Sequence, residues 1–325
     1  MIFDLILRRS SRPPGVPSAA KSKIIYNLFM INRRQFIQTA VSAATASSIE
    51  AWAARSPVKI AHREGNMLRQ SSPSVYELGA SIPGLSGIEV QTSRSNLWDR
   101  DTVLAYKKEA NRWKMRTVSM GGSLPDGGSI TDPGPAEVYL RKTIHSGEIL
   151  GATVILVGGF RETCPRMDVE ASYGPTVELL KKLGPVAEDA GMVLGLELSL
   201  DVADYKKLID LVAHPAVRPY WDATGTDHMG HPGEGIKGLQ VFGNTICQMH
   251  LKNGRKLMEE RHLLEVHPRH VEAGRTMSID WTKAFPIIKA SGFEGWFAFE
   301  TPHASPEACV AETIKNIAFV MKYMG

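Results

Sequence analysis

Cysteine is scarce in this sequence. Cys164, Cys247 and Cys309 are the only three in 325 residues, widely spaced and without a CxxC pair. Such an odd, scattered set does not build a disulfide framework, and Cys247, inside an apolar run, reads as a small buried residue. No glycine-rich phosphate fingerprint follows the first strand-like segment, which argues against a doubly wound dinucleotide-binding sheet. Long apolar runs are also missing: the mildly apolar stretch Thr39 to Ala46 is too short and too polar for a stable membrane span. Net charge is absent from the body of the chain. Of 38 Lys/Arg and 34 Asp/Glu, seven and two fall within residues 1–53, and the remaining 31 and 32 nearly cancel. The body therefore has no electrostatic bias towards nucleic acid or a membrane surface. What is present, 43 % hydrophobic and 22 % charged residues, suffices to bury a sizeable core and shows no compositional sign of disorder.

The excess positive charge sits at the start, with Arg8, Arg9, Arg12, Lys21, Lys23, Arg33 and Arg34 set against Asp4 and Glu50. There Asn32–Arg33–Arg34–Gln35–Phe36–Ile37 places an arginine pair ahead of a hydrophobic residue and the Ala/Ser/Thr-rich stretch from Thr39. The pattern resembles a twin-arginine export signal, and Ala51–Trp52–Ala53 supplies an A-x-A arrangement for cleavage before Ala54. Met30 is the expected translation start, with residues 1–29 an over-extended gene reading that N-terminal sequencing of the precursor checks. Residues 1–53 are thus read as a leader and 54–325 as one folded domain. The expected partner is the twin-arginine machinery, which carries folded proteins, and the expected location is periplasmic or extracellular.

From Pro57 onward strand-like and helix-like segments alternate. Val58–His62, Gly87–Gln91, Arg116–Met120 and Ala152–Val157 read as strands, with helices over Met67–Ala80, Arg100–Trp113, Pro135–Leu150 and Gly174–Ala190. The second half repeats the pattern. Its strands end at Glu197, Asp222, His250 and Glu300, and its helices are expected over 202–213, 233–242, 280–291 and 305–323. Eight βα units without a linker-like composition shift imply a single-domain α/β protein, a (β/α)8 TIM barrel.

The anomaly lies in the polar ends of the last four apolar runs, Val193–Glu197, Pro219–Asp222, Ile246–His250 and Trp296–Glu300. In a barrel the carboxyl ends of all strands converge on one mouth. Glu197, Asp222, His250 and Glu300, separated by 25, 28 and 50 residues, would meet there. Three carboxylates and one imidazole form a mostly hard donor set, favouring one divalent ion such as Mn²⁺, with Mg²⁺, Co²⁺ or Zn²⁺ also compatible. Without an ion, three close carboxylates repel and at least one must stay protonated.

Leu194–Gly195–Leu196–Glu197, Tyr220–Trp221–Asp222, Gln248–Met249–His250–Leu251–Lys252–Asn253 and Ile279–Asp280–Trp281 through Gly292–Phe293–Glu294–Gly295–Trp296 to Phe299–Glu300–Thr301 carry a resemblance. The chain is similar to the xylose isomerase-like barrel superfamily of sugar isomerases and epimerases, which also includes the apurinic-site endonuclease type. The resemblance implies that Glu197, Asp222, His250 and Glu300 bind one divalent metal and that Glu197 and Glu300 serve as acid and base. It implies a carbohydrate substrate, isomerised or epimerised through an enediolate. A lyase, dehydratase or hydratase on a keto-sugar is the variant from the same intermediate. The resemblance also expects a substrate-binding histidine three residues after the aspartate, where this sequence has Gly225, so His228, in the expected loop Thr224–His231 after the sixth strand, is the nearest substitute and His231 a weaker one.

Further substrate contacts are expected from Lys252, in the His-x-Lys pattern, and from His62 and Glu89 at the ends of the first two strands. Arg161 and Arg255 are weaker candidates for an anionic group. The long connection 254–278, with His262, His267, His270 and Arg275, reads as a lid or specificity loop, and a homo-oligomer is compatible with the fold. Two other function classes are weighed. A DNA-damage endonuclease is disfavoured by Gly225, by the uncharged body and by export. A non-catalytic carbohydrate-binding barrel is disfavoured by intact glutamates at both acid/base positions.

Overall fold

The computed structural model describes residues 43–68, 70–254, 261–265 and 279–325. Eight parallel strands pair in sequence order and close on themselves: β1 (Lys59–Arg63), β2 (Gly87–Gln91), β3 (Arg116–Gly121), β4 (Val154–Gly159), β5 (Val193–Leu198), β6 (Val217–Trp221), β7 (Gln248–Leu251) and β8 (Trp296–Phe299). The closing pair sets Ile60 against Phe297 and His62 against Phe299. The (β/α)8 barrel expected from the alternation is therefore the fold.

The helices cover the strands as amphipathic sequences must. α1 (Ala43–Ala53) precedes the first strand, and α2 (Glu64–Met67) and α3 (Val75–Ala80) follow it. α4 (Arg100–Trp113), α5 (Pro133–Leu150), α6 (Glu170–Asp189) and α7 (Val202–Val212) follow β2 to β5. α8 (Ala223–His228) and α9 (Glu234–Phe242) follow β6, and α10 (Trp281–Ser291) and α11 (Pro306–Met324) complete the ring. Two expectations are corrected. The helix expected over Met67–Ala80 is two short helices, because Ser72–Pro73 interrupts it and the residue before a proline is biased away from helical backbone. The segment after Asp222, expected as a loop, begins as the helix α8.

Trp296 closes the floor of the barrel, packing with Ala61, Val118 and Ala298. Glycine is required opposite it: a Cβ on Gly87 would lie 2.4 Å from Val118 and 2.9 Å from the Trp296 ring. Among the described residues no helix is long and apolar enough to cross a membrane.

The compact unit begins at Ala43, eleven residues ahead of the expected domain boundary. Ile49 on α1 is fully buried, and α1 packs against α11. A chain beginning at Ala54 is therefore expected to be less stable than one beginning at Ala43 by about 1.5–3 kcal/mol for Ile49 alone. Urea unfolding of the two chains reads this directly, and equal midpoints would contradict it. The arginine pair and the expected start at Met30 lie outside the described residues.

Candidate metal centre at the barrel mouth

Side chains alternate along a strand, and this alternation decides what enters the barrel. On β1, Ala61 joins the floor, and Arg63, two residues on, ion-pairs with Glu89 and Glu300. His62, expected to contact substrate, lies between them and bonds instead to His303. On β2 the inward residue is Glu89.

Glu89 is completely buried and lies beneath the mouth rather than in it. Its Oε2 accepts from Ser119 Oγ at 2.9 Å and from Tyr220 OH at 2.5 Å, and Gln248 Nε2 stands 3.3 Å away. Its Oε1 faces His250 Nε2 at 3.1 Å and Arg63 Nε at 3.3 Å. Burial opposes the Glu89 charge, but His250 and Arg63 outweigh it and bring the carboxyl down to about 2. Glu89, expected to contact substrate hydroxyls, is bonded to His250 and the neighbours above.

That contact fixes the histidine. With Nε2–H donated to a carboxylate, the ring turns Nδ1 towards Glu197 Oε1 and Glu300 Oε2, each 3.5 Å away. Nδ1 is buried and makes no hydrogen bond. Asp222 is oriented in a similar way. As N-cap of α8 its Oδ1 accepts from Gly225 N at 2.7 Å, which turns the buried Oδ2 towards Lys252. One donor atom each from Glu197, Asp222, His250 and Glu300 lies within 4.8 Å of the others. The four residues meet, as their strand-end positions required. An orphaned imidazole nitrogen backed by a carboxylate, beside a carboxylate oriented by a helix cap, is what a metal-binding residue set needs, so these side chains fit a divalent ion.

The positive charge that three close carboxylates require comes from neighbouring side chains. Lys252 Nζ lies 2.5 Å from both Asp222 Oδ2 and Glu300 Oε2, and Arg63 Nη1 pairs with Glu300 Oε1. Burial would push the Lys252 ammonium down, yet Asp222 and Glu300 raise it further. Burial likewise favours a neutral Glu300, but Lys252 and Arg63 hold it well below the usual carboxylate range. His250, buried but ringed by Glu89, Glu300 and Glu197, is raised to about 10. The Lys252 backbone is fixed as well, its carbonyl accepting from Thr224 Oγ1 at 2.8 Å and from Trp281 Nε1 at 3.1 Å.

Arg63 is the site residue that the sequence reading missed. Applying the period of two to β1 from Ala61 would have selected it in place of His62. Of the remaining candidates, His228 ends α8 and is half-buried, His231 Nε2 lies 3.3 Å from Ser199 O, and Arg161 is exposed. Arg255, His267, His270 and Arg275 lie outside the described residues. Part of the 254–278 connection is anchored: Leu264 is buried and its N–H donates to Asn316 Oδ1 at 2.8 Å, while Asn316 Nδ2 donates to His262 O at 2.9 Å.

Gly225 has a steric reason. A Cβ there would lie 2.3 Å from Asp222 Oδ2, so no larger residue fits beside this carboxylate. Gly225→Ala is expected to weaken Mn²⁺ binding by about 10–100-fold through the displaced Asp222. Calorimetric titration checks this, and unchanged affinity would show that Asp222 is not held as described.

Several solved structures share the fold. A D-allulose 3-epimerase from Methylomonas sp., in complex with D-allulose, superposes with a TM-score of 0.62 at 16 % identity, covering 82 % of this chain and 97 % of that one. A 3-keto-D-glucoside 4-epimerase from E. coli gives 0.59 at 15 % identity over 82 % and 99 % of the two chains. An IolI protein with a bound zinc atom gives 0.60 at 15 % over the same shares. No curated protein matches in sequence. Residues 77–320 match the family profile described as xylose isomerase-like TIM barrel. With most of its length inside that match, and with a closed eight-stranded barrel, the chain belongs to the xylose isomerase-like TIM barrel family.

Proposed function

We propose that the protein is a divalent-metal-dependent isomerase or epimerase acting on a sugar, a polyol-derived ketone or a keto-glycoside through an enediolate. The observation that carries this reading is the convergence of Glu197, Asp222, His250 and Glu300, with His250 presented by Glu89. These four residues would hold the ion, which when bound polarises a substrate carbonyl and so acidifies the adjacent C–H. The chain's own work is proton transfer. One of Glu197 and Glu300 removes the proton from carbon and the other returns it, to the same carbon for epimerisation or to its neighbour for isomerisation. Arg63 and Lys252 orient Glu300 from two sides. Lys252 and His228 are the proposed contacts for substrate hydroxyls.

The sugar and keto-glycoside epimerases that share the fold support the substrate class. The proposal includes export by the twin-arginine route on the strength of Arg33–Arg34 and the residues that follow, with a non-phosphorylated substrate outside the cytoplasm. Manganese-loaded protein incubated in D₂O with ketoses, inososes and 3-keto-glycosides is expected to exchange one carbon-bound proton in a panel member. The product's NMR spectrum then separates epimer, isomer and elimination product. Absence of both metal binding and exchange across the panel would overturn the reading.

A further inference from the structure

β1 serves two sites, because adjacent residues on a strand face opposite ways. Arg63 enters the barrel, whereas His62 turns outward beneath the start of α11 and is fully buried there. Its Nε2 lies 2.9 Å from Nε2 of His303, whose side chain is also buried. Cys309, in the first turns of α11, is fully buried, and its Sγ lies within 4.8 Å of a ring nitrogen of each histidine.

The hydrogen positions in this cluster follow from its outer partners. His303 Nδ1 lies 2.6 Å from Glu312 Oε2, and His62 Nδ1 lies 3.2 Å from the carbonyl oxygen of Arg63. Both oxygens are acceptors, so each Nδ1 carries a hydrogen. In neutral rings the two Nε2 atoms then present lone pairs to each other at 2.9 Å, which repel unless a cation takes them up. A carboxylate behind one imidazole, as Glu312 is behind His303, is the usual outer support of a metal-bound histidine.

We propose that His62 Nε2, His303 Nε2 and Cys309 Sγ form a second metal site, for a thiophilic divalent ion of the zinc class, separate from the barrel mouth. Nitrogen and sulfur donors suit such an ion, as the hard carboxylate set at the mouth does not. Donors in a tetrahedral zinc site stand roughly 3.3–3.8 Å apart. The nitrogens must therefore part slightly and Cys309 must turn inward from Thr313 Oγ1, now 3.8 Å away. The charges balance: the Cys309 S–H releases its proton to solvent, the sulfur binds as thiolate, both rings stay neutral, and Glu312 offsets the remaining positive charge. Burial pushes the metal-free thiol up to about 12, so this proton leaves only when the ion arrives. The site would pin the end of β1 and the segment after β8 to α11, and so hold Arg63 and Glu300 from behind.

Full-length protein stripped by chelator and titrated with Co²⁺ provides the test. It is expected to bind about two ions per chain, one of them with a near-ultraviolet thiolate-to-cobalt band. Cys309→Ser is expected to lose that band and one equivalent, while Asp222→Ala loses the other equivalent and keeps the band. His303→Gln gives an independent loss should Cys309→Ser fail to fold. A single equivalent without the band, meaning that a shared proton alone joins the rings, overturns the second site and leaves the barrel site standing. A band that persists in Cys309→Ser also overturns it. One equivalent with the band would instead sustain this site and sink the barrel reading.

Discussion

Glu197→Gln is expected to cut exchange of the substrate's carbon-bound proton by about 10²–10⁴-fold, with carbohydrate binding largely retained. The amide keeps an oxygen where the carboxylate has one, so the donor set is weakened rather than dismantled. It cannot take up the proton. Glu197 is the sharper choice of the two glutamates because Glu300 is also tied to Lys252 and Arg63, and replacing it would release both cations. Single-turnover exchange in D₂O, with metal content measured on the same sample, separates the effects. Undiminished exchange at full occupancy would remove Glu197 from the chemistry, and a barrel that only binds sugar would show no exchange to lose.

Glu89→Ala is expected to have the largest effect on stability, about 3–5 kcal/mol, because it leaves buried charge without its counter-charge. Ser119, Tyr220, Gln248, His250 and Arg63 all converge on this carboxylate. Its removal also frees the His250 ring to change tautomer, so Mn²⁺ affinity should fall with stability. Denaturant unfolding with and without Mn²⁺ measures both. A loss under about 1 kcal/mol would mean that the network carries little net energy.

The fold was legible because each βα unit announces itself locally: an apolar run, turn residues, then an amphipathic segment. The four donors were legible for a related reason, since polar residues ending buried strands need partners. That Arg63 and not His62 joins Glu300 was not legible, because position along a strand says how near the mouth a residue lies, whereas its parity says which side it faces. Parity needs one fixed inward residue as reference, and on β1 that residue is Ala61, set by Trp296 across the barrel floor. The contact of Lys252 with Asp222 and Glu300 joins three strands and has no local signal. The break between α2 and α3 falls where Ser72–Pro73 interrupts the segment expected as helix.

The pairing of β1 with β8 has a counterpart outside the barrel, where α1 lies against α11 and Trp52 Nε1 comes within 3.1 Å of a Cβ built on Gly325. The strand layer is a closed ring, and the order in which translation delivers the units is not an order the architecture needs. The exposed turn at Gly191, where a Cβ would meet nothing within 4 Å, lies at the strand-entry end, away from the four donors. A circular permutant opened there, with its former ends joined by a flexible linker, would keep every donor on its strand. The mouth is thus defined by neighbours in space, and no single stretch of sequence owns it.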